Sequence, residues 1–94
     1  MIVVRNCFTA KPGMASKLAA QMKEAATAAQ MPKFRIMTDV TGDFNRVVLE
    51  WEAEDLSALQ ARLQDYATNT ALREKMAGYT DLYITGYREI LQTH

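Results

Sequence analysis

The chain is poor in the residues that most chemistries depend on. Among its 94 residues there is one cysteine, Cys7, and one histidine, His94. A single cysteine closes no intrachain disulfide, so nothing in the sequence asks for an oxidising compartment. A zinc site needs several histidine or cysteine ligands, and they are not there. A nucleophile paired with a histidine is equally hard to build, because the only imidazole is the last residue, where chains fray. Net charge is missing too: eleven basic residues balance eleven acidic ones. The densest basic cluster is Lys33 and Arg35, so the counterion-releasing face of a nucleic-acid binder is not expected. No apolar run approaches the ~20 residues of a membrane span. No basic segment followed by a long apolar run opens the chain, so a secretion signal is not expected. The setting expected by default is cytoplasmic, with no cofactor and no metal.

What is present suits one small globular domain: a hydrophobic fraction of 49% and a charged fraction of 23%, too apolar for disorder. Met1 to Thr9, rich in Val, Ile, Phe and Thr, reads as a strand, and Lys11-Pro12-Gly13 ends it. Met14 to Gln30 carries Leu18 and Met22 four apart among many alanines, a helix with a flat face suited to packing on a sheet. Met31-Pro32 stops it. Phe34 to Val40 reads as a second strand and Asn45 to Glu52 as a third, joined by Thr41-Gly42-Asp43 with Gly42 at positive φ. Glu54 or Asp55 can cap the next helix, whose stripe is Leu56, Leu59, Leu63 and Tyr66. Asn69-Thr70 re-caps it before Ala71 to Ala77, and Gly78 closes that piece. Tyr79 to Leu91 reads as the last strand.

The order βαββαβ gives an α+β, ferredoxin-like fold: a four-stranded antiparallel sheet with two helices on one face, residues 1–94 forming a single domain. Strand parity assigns the two faces. Ile2, Val4, Asn6 and Phe8 join Val47, Leu49 and Trp51 toward the helices, with Leu82, Ile84, Gly86 and Ile90 from the last strand. Val3, Arg5 and Cys7 join Arg46, Val48, Glu50 and Glu52 on the other face, with Tyr83, Thr85, Tyr87 and Leu91. That second face is too apolar for plain water and too polar for a dry core, which suits burial against a second copy of the chain. Arg5, Glu50, Tyr83 and Tyr87 are its candidate dimer-face residues, with an Arg5–Glu50 pair across it. The alternative for Arg5 is bidentate capture of a substrate carboxylate. Cys7 lies beside Arg5, as a small buried hydrophobe or as a thiol activated by the guanidinium.

The segment Phe8-Thr9-Ala10-Lys11-Pro12-Gly13 that ends the first strand, and Asn45-Arg46-Val47-Val48-Leu49-Glu50-Trp51-Glu52 running into Leu56 and Leu59, resemble the dimeric α+β barrel superfamily. The flavour is that of NIPSNAP-like proteins and antibiotic-biosynthesis-type monooxygenases. The resemblance covers the whole chain and marks fold more than chemistry. It implies a homodimer with a ligand cleft between sheet and helices. Haem-degrading members use a first-strand asparagine with a tryptophan and a histidine on the second helix. Asn6 matches the first, but Gln60 stands near the tryptophan position and no histidine precedes His94, so haem chemistry is not expected.

The cleft candidates are Asn6, Phe8, Met22, Trp51 and Tyr66. Asn6 is the one amide among apolar neighbours on its face, and a buried amide needs partners, either backbone groups or a ligand. Methionines such as Met22 and Met37 would give soft walls. Two functions fit these residues. One is a small-ligand-binding module for an apolar or aromatic molecule. The other is a cofactor-free monooxygenase or isomerase of an aromatic or polyketide-like substrate, with a buried Glu50 of raised pKa as its base. A closed, dry gap between sheet and helices would favour a plain interaction module. An open apolar pocket lined by Asn6, Trp51 and a tyrosine would favour an enzyme.

Overall fold

The computed structural model describes residues 1–94. Its first strand, β1 (Ile2–Ala10), lies at the centre of the sheet, because the two flanking strands both pair with it. The other elements are α1 (Ala15–Ala28), β2 (Arg35–Thr38), β3 (Arg46–Ala53), α2 (Leu56–Thr68), α3 (Thr70–Lys75) and β4 (Tyr83–Gln92). The four-stranded sheet runs β2-β3-β1-β4 with every pairing antiparallel. This is the expected α+β, ferredoxin-like layout, with the second helical segment in two pieces.

Register turns sequence parity into faces. Val4 sits opposite Trp51, Asn6 opposite Leu49 and Phe8 opposite Val47. Directly opposed residues share a sheet face, so these six point to the helices. α1 answers them with Leu18, Met22, Ala25 and Ala26, all buried, at the three- and four-residue spacing of one helix face. The alanines let the helix lie close. Leu18, Met22 and Ala26 join Val4, Val47, Leu49 and Trp51 in a single core cluster of 13 buried residues that also takes in Leu59 and Leu82.

Polar side chains finish the helix ends. Asp55 Oδ1 accepts from the Ala58 amide at 2.8 Å, so Asp55, not Glu54, starts α2. Asn69 adopts extended backbone, ends α2, and accepts from the Leu72 amide at 2.9 Å to start α3. Gln21 of α1 donates to the Lys75 and Ala77 carbonyls at 2.9 and 2.8 Å, satisfying groups left open at the end of α3. Gly78 then reverses the chain at φ +79°, a conformation that suits glycine.

Three expectations are corrected. The last strand begins at Tyr83 rather than Tyr79, because Tyr79–Asp81 forms a 3₁₀ turn after Gly78. The β2–β3 connection is wider than a tight turn: β2 stops at Thr38, where Asp39 Oδ1 accepts from the Arg46 amide at 2.7 Å and closes the intervening loop. Gly42 has positive φ as expected, but Phe44 and Asn45 share it. Finally, Tyr83 leaves the outer face. The β1–β4 register slips between Thr9 and Ala10, which brings Tyr83 opposite Ala10 and skips Ile84. A slip of one residue reverses the face that every later side chain uses. Tyr83 therefore packs on Phe8, ring centroids 5.0 Å apart, and Ile84 is exposed.

Candidate functional site

Between the helix-facing side of the sheet and the helices lies a cavity of ≈ 820 Å³. It exists because α2 stands off the sheet: Leu59 is its one buried residue, and it packs mainly over β3. β4, at the edge, is left with little cover. The cavity brings together Asn6 and Phe8 of β1, Met22 of α1, Trp51 of β3 and Tyr66 of α2. All five cleft candidates thus border one space. Leu63 of α2, Leu72 of α3, Met76 just after it, and Tyr79 complete an apolar wall. Met37 does not take part. It pairs with Val48 on the opposite sheet face, one residue out of phase with Ile36.

Few polar groups punctuate this wall. Trp51 is 1% exposed and meets Tyr66 edge to face, centroids 5.4 Å apart. Neither the Trp51 indole N–H nor the Tyr66 hydroxyl has a hydrogen-bond partner, although both atoms are buried. A buried donor without an acceptor costs about 1–3 kcal/mol, so both groups carry an unmet hydrogen-bonding need beside the cavity. Asn6 meets neither backbone nor solvent alone: its Oδ1 accepts from Arg88 Nε across the β1–β4 pair at 3.0 Å. The Tyr79 phenol stacks on Tyr83 at 5.5 Å. Its pKa is raised, first by burial and then by the Tyr83 hydroxyl, so it stays protonated and able to donate at neutral pH.

Two arginines complete the lining, Arg73 of α3 and Arg88 of β4. Sequence reasoning passed over both. A signal for Arg88 was present, since it lies two residues from Gly86 and from Ile90 and shares their strand parity. Arg73, in the short helix α3, carried no comparable mark. No carboxylate, thiol or imidazole borders the cavity, and no three His, Cys, Asp or Glu side chains gather in a way that could hold a metal ion.

The opposite sheet face carries the charges. Arg5 Nε donates to Glu50 Oε1 at 2.8 Å, and Arg35 Nε donates to Glu50 Oε2 at 2.8 Å, joined by Arg35 Nη2. Glu50 is buried between them. Hydrogen bonds from Arg5, then from Arg35, hold its carboxyl below the ordinary value of 4.5 against the opposing effect of burial. This overturns Glu50 as a general base: its pKa moves the wrong way, and it lies on the far side of the sheet from the cavity. Cys7 is buried on that face opposite Tyr87. The pKa of the Tyr87 phenol is raised, chiefly by the neighbouring Cys7 side chain. Because β4 is an edge strand, Tyr87 also borders the cavity rim.

No family model matches the sequence, and no curated protein matches it. Solved structures do match. An uncharacterised NIPSNAP domain protein from Burkholderia xenovorans superposes with a TM-score of 0.87 at 18% identity, over 100% of this chain and 95% of that one. A NIPSNAP family protein from Agrobacterium tumefaciens gives 0.84 at 15% identity, over 99% and 92%. A candidate antibiotic biosynthesis monooxygenase from Chloroflexus aurantiacus gives 0.69 at 16% identity, over 99% and 95%. At these identities the likeness is one of fold, and the chain has the α+β fold that NIPSNAP domain proteins share with proteins resembling antibiotic biosynthesis monooxygenases.

Proposed function

We propose that this chain is a homodimeric small-ligand-binding domain whose ligand, apolar and in large part aromatic, occupies the space between sheet and helices. The observation that carries the reading is the cavity itself: ≈ 820 Å³, within the range of small-molecule sites, with the unpartnered Trp51 and Tyr66 donors in its wall. The test is a thermal-shift screen with aromatic acids, polyketide-like phenols and haem. Trp51 is the only tryptophan of the chain, so its fluorescence reports occupancy directly. Stabilisation with a Trp51 response is expected for the aromatic classes and not for haem. A screen in which no class stabilises the protein refutes the reading.

Dimerisation is supported by β4, exposed along most of its length, with Tyr87 and Leu91 on the outer face and Ile90 on the inner. An exposed edge strand of this kind is a pairing liability unless it is covered. Light scattering at micromolar concentration should give twice the chain mass of 10.6 kDa, and a monomeric mass would refute the dimer. The single, buried thiol suits a reducing, cytoplasmic setting.

One observation favours a second reading, a cofactor-free monooxygenase or isomerase: the cavity is open, as expected of an enzyme, and is lined by Asn6, Trp51 and a tyrosine. With no base on its wall, turnover would require a substrate acidic enough to ionise by itself. The protein would then contribute donors that stabilise the anion. Oxygen uptake with an acidic polyketide-like phenol tests it.

A further inference from the structure

We propose that the ligand of this cavity is a carboxylic acid, an apolar or aromatic body whose carboxylate is taken by Arg88. This rests on the cavity being a ligand site and adds the chemistry of the ligand's polar end. The lining carries two guanidiniums, Arg73 and Arg88, and no acidic side chain. Neither arginine belongs to an ion pair; both ion pairs of the chain converge on Glu50, on the other sheet face. Both arginines are exposed at the rim of that space, and a cation there without a counter-charge favours an anion beside it.

Arg88 is more than a loose surface charge. Its Nε donates to Asn6 Oδ1 at 3.0 Å, which occupies one of its five N–H groups and fixes the plane of the fork. The terminal nitrogens make no hydrogen bond within the chain. They form the edge that matches a carboxylate in bidentate fashion. Arginine donates only, so the oxygen of Asn6 must face it, which leaves the Asn6 amide hydrogens free for the same ligand. Asn6 is thus a positioning residue as well as part of the wall. Arg88 shares the helix-facing side of the sheet with Asn6.

The test is titration calorimetry on the full chain with 2-naphthoate and with its neutral isostere 2-naphthamide. The wild type should prefer the acid by about tenfold, as a charge-assisted bidentate contact implies. Arg88→Gln should erase the preference, weakening acid binding by more than amide binding. Asn6→Asp should erase it with Arg88 still in place, by supplying the counter-charge internally. Circular dichroism and urea midpoints confirm that both variants fold. Equal binding of acid and amide by the wild type overturns the carboxylate inference and leaves the ligand site standing. A preference that survives Arg88→Gln, or that disappears only with Arg73→Gln, overturns the assignment to Arg88. Binding of neither probe overturns the ligand site together with this inference.

Discussion

Replacing Glu50 by glutamine would separate charge from shape at the centre of the outer sheet face. The side chain of Glu50 is 7% exposed, while those of Arg5 and Arg35 are 42% and 66% exposed. Removing one member of a fully buried pair costs about 3–5 kcal/mol. Here both cations keep contact with water, which screens them, so the cost falls toward that of exposed pairs. An intermediate loss of about 1–2 kcal/mol at pH 7 follows, or roughly 4–16 °C in Tm for a domain of this size. The pH dependence gives the sharper criterion. The folded carboxyl titrates below its ordinary value of 4.5, so its contribution is complete above that value. It is lost as pH falls through the folded pKa, because the proton then displaces the arginine contacts. Urea unfolding of wild type and Glu50→Gln between pH 2.5 and 7 (about the span over which a carboxylate titrates) should therefore show two curves that converge in acid. A gap that stays constant with pH would mean that glutamine disturbs packing and that the charge contributes nothing. No gap at pH 7 would mean that the two arginines already satisfy themselves with water.

Three further outcomes follow from the packing. Trp51→Ala should cost about 3–5 kcal/mol in chemical denaturation, since the indole fills the core between sheet and α2, whereas Trp51→Phe should cost less and remove the buried unpartnered N–H. Gly86→Ala should destabilise by about 1–3 kcal/mol through overpacking, because a Cβ there would stand 2.7 Å from the Phe8 ring; pairing it with Phe8→Leu should recover most of the loss. Asp55→Ala should cost about 1 kcal/mol by uncapping α2, and Asp55→Asn much less, as the urea midpoints of the two would show.

How far the sequence reaches can be judged residue by residue. Strand parity is local, because consecutive side chains alternate whatever lies around them. It therefore placed Asn6, Phe8 and Trp51 together, and Arg5 with Glu50, before any fold was known. Helix punctuation is local as well. Asp55 and Asn69 act through backbone amides three residues away, and the sequence marked both, Asp55 as one of two candidates. Gly78 reads from sequence as the end of a helix piece running to Ala77, whereas α3 stops at Lys75 and Gly78 leads into the 3₁₀ turn. Tyr83 shows where local reading stops. Its face depends on a register slip between β1 and β4 that no residue on either strand signals by itself. The direction of the Glu50 shift was equally out of reach, because burial and two guanidiniums push a carboxyl opposite ways. Only the positions of Arg5 and Arg35 decide between them. Arg88 was half legible: its parity matches the inner face, though only the register sets it beside Asn6, and its lack of a counter-charge appears only once the acidic residues are located in space.

The sequence by itself determined the βαββαβ order and most of the sheet's two faces, since both depend on residue type and on periodicity along the chain. Only the tertiary structure decided that α2 stands off the sheet to leave a cavity, that Arg73 and Arg88 border it, and that Tyr83 belongs to the inner face. Those depend on how distant segments meet, which is a property of packing rather than of any stretch of residues.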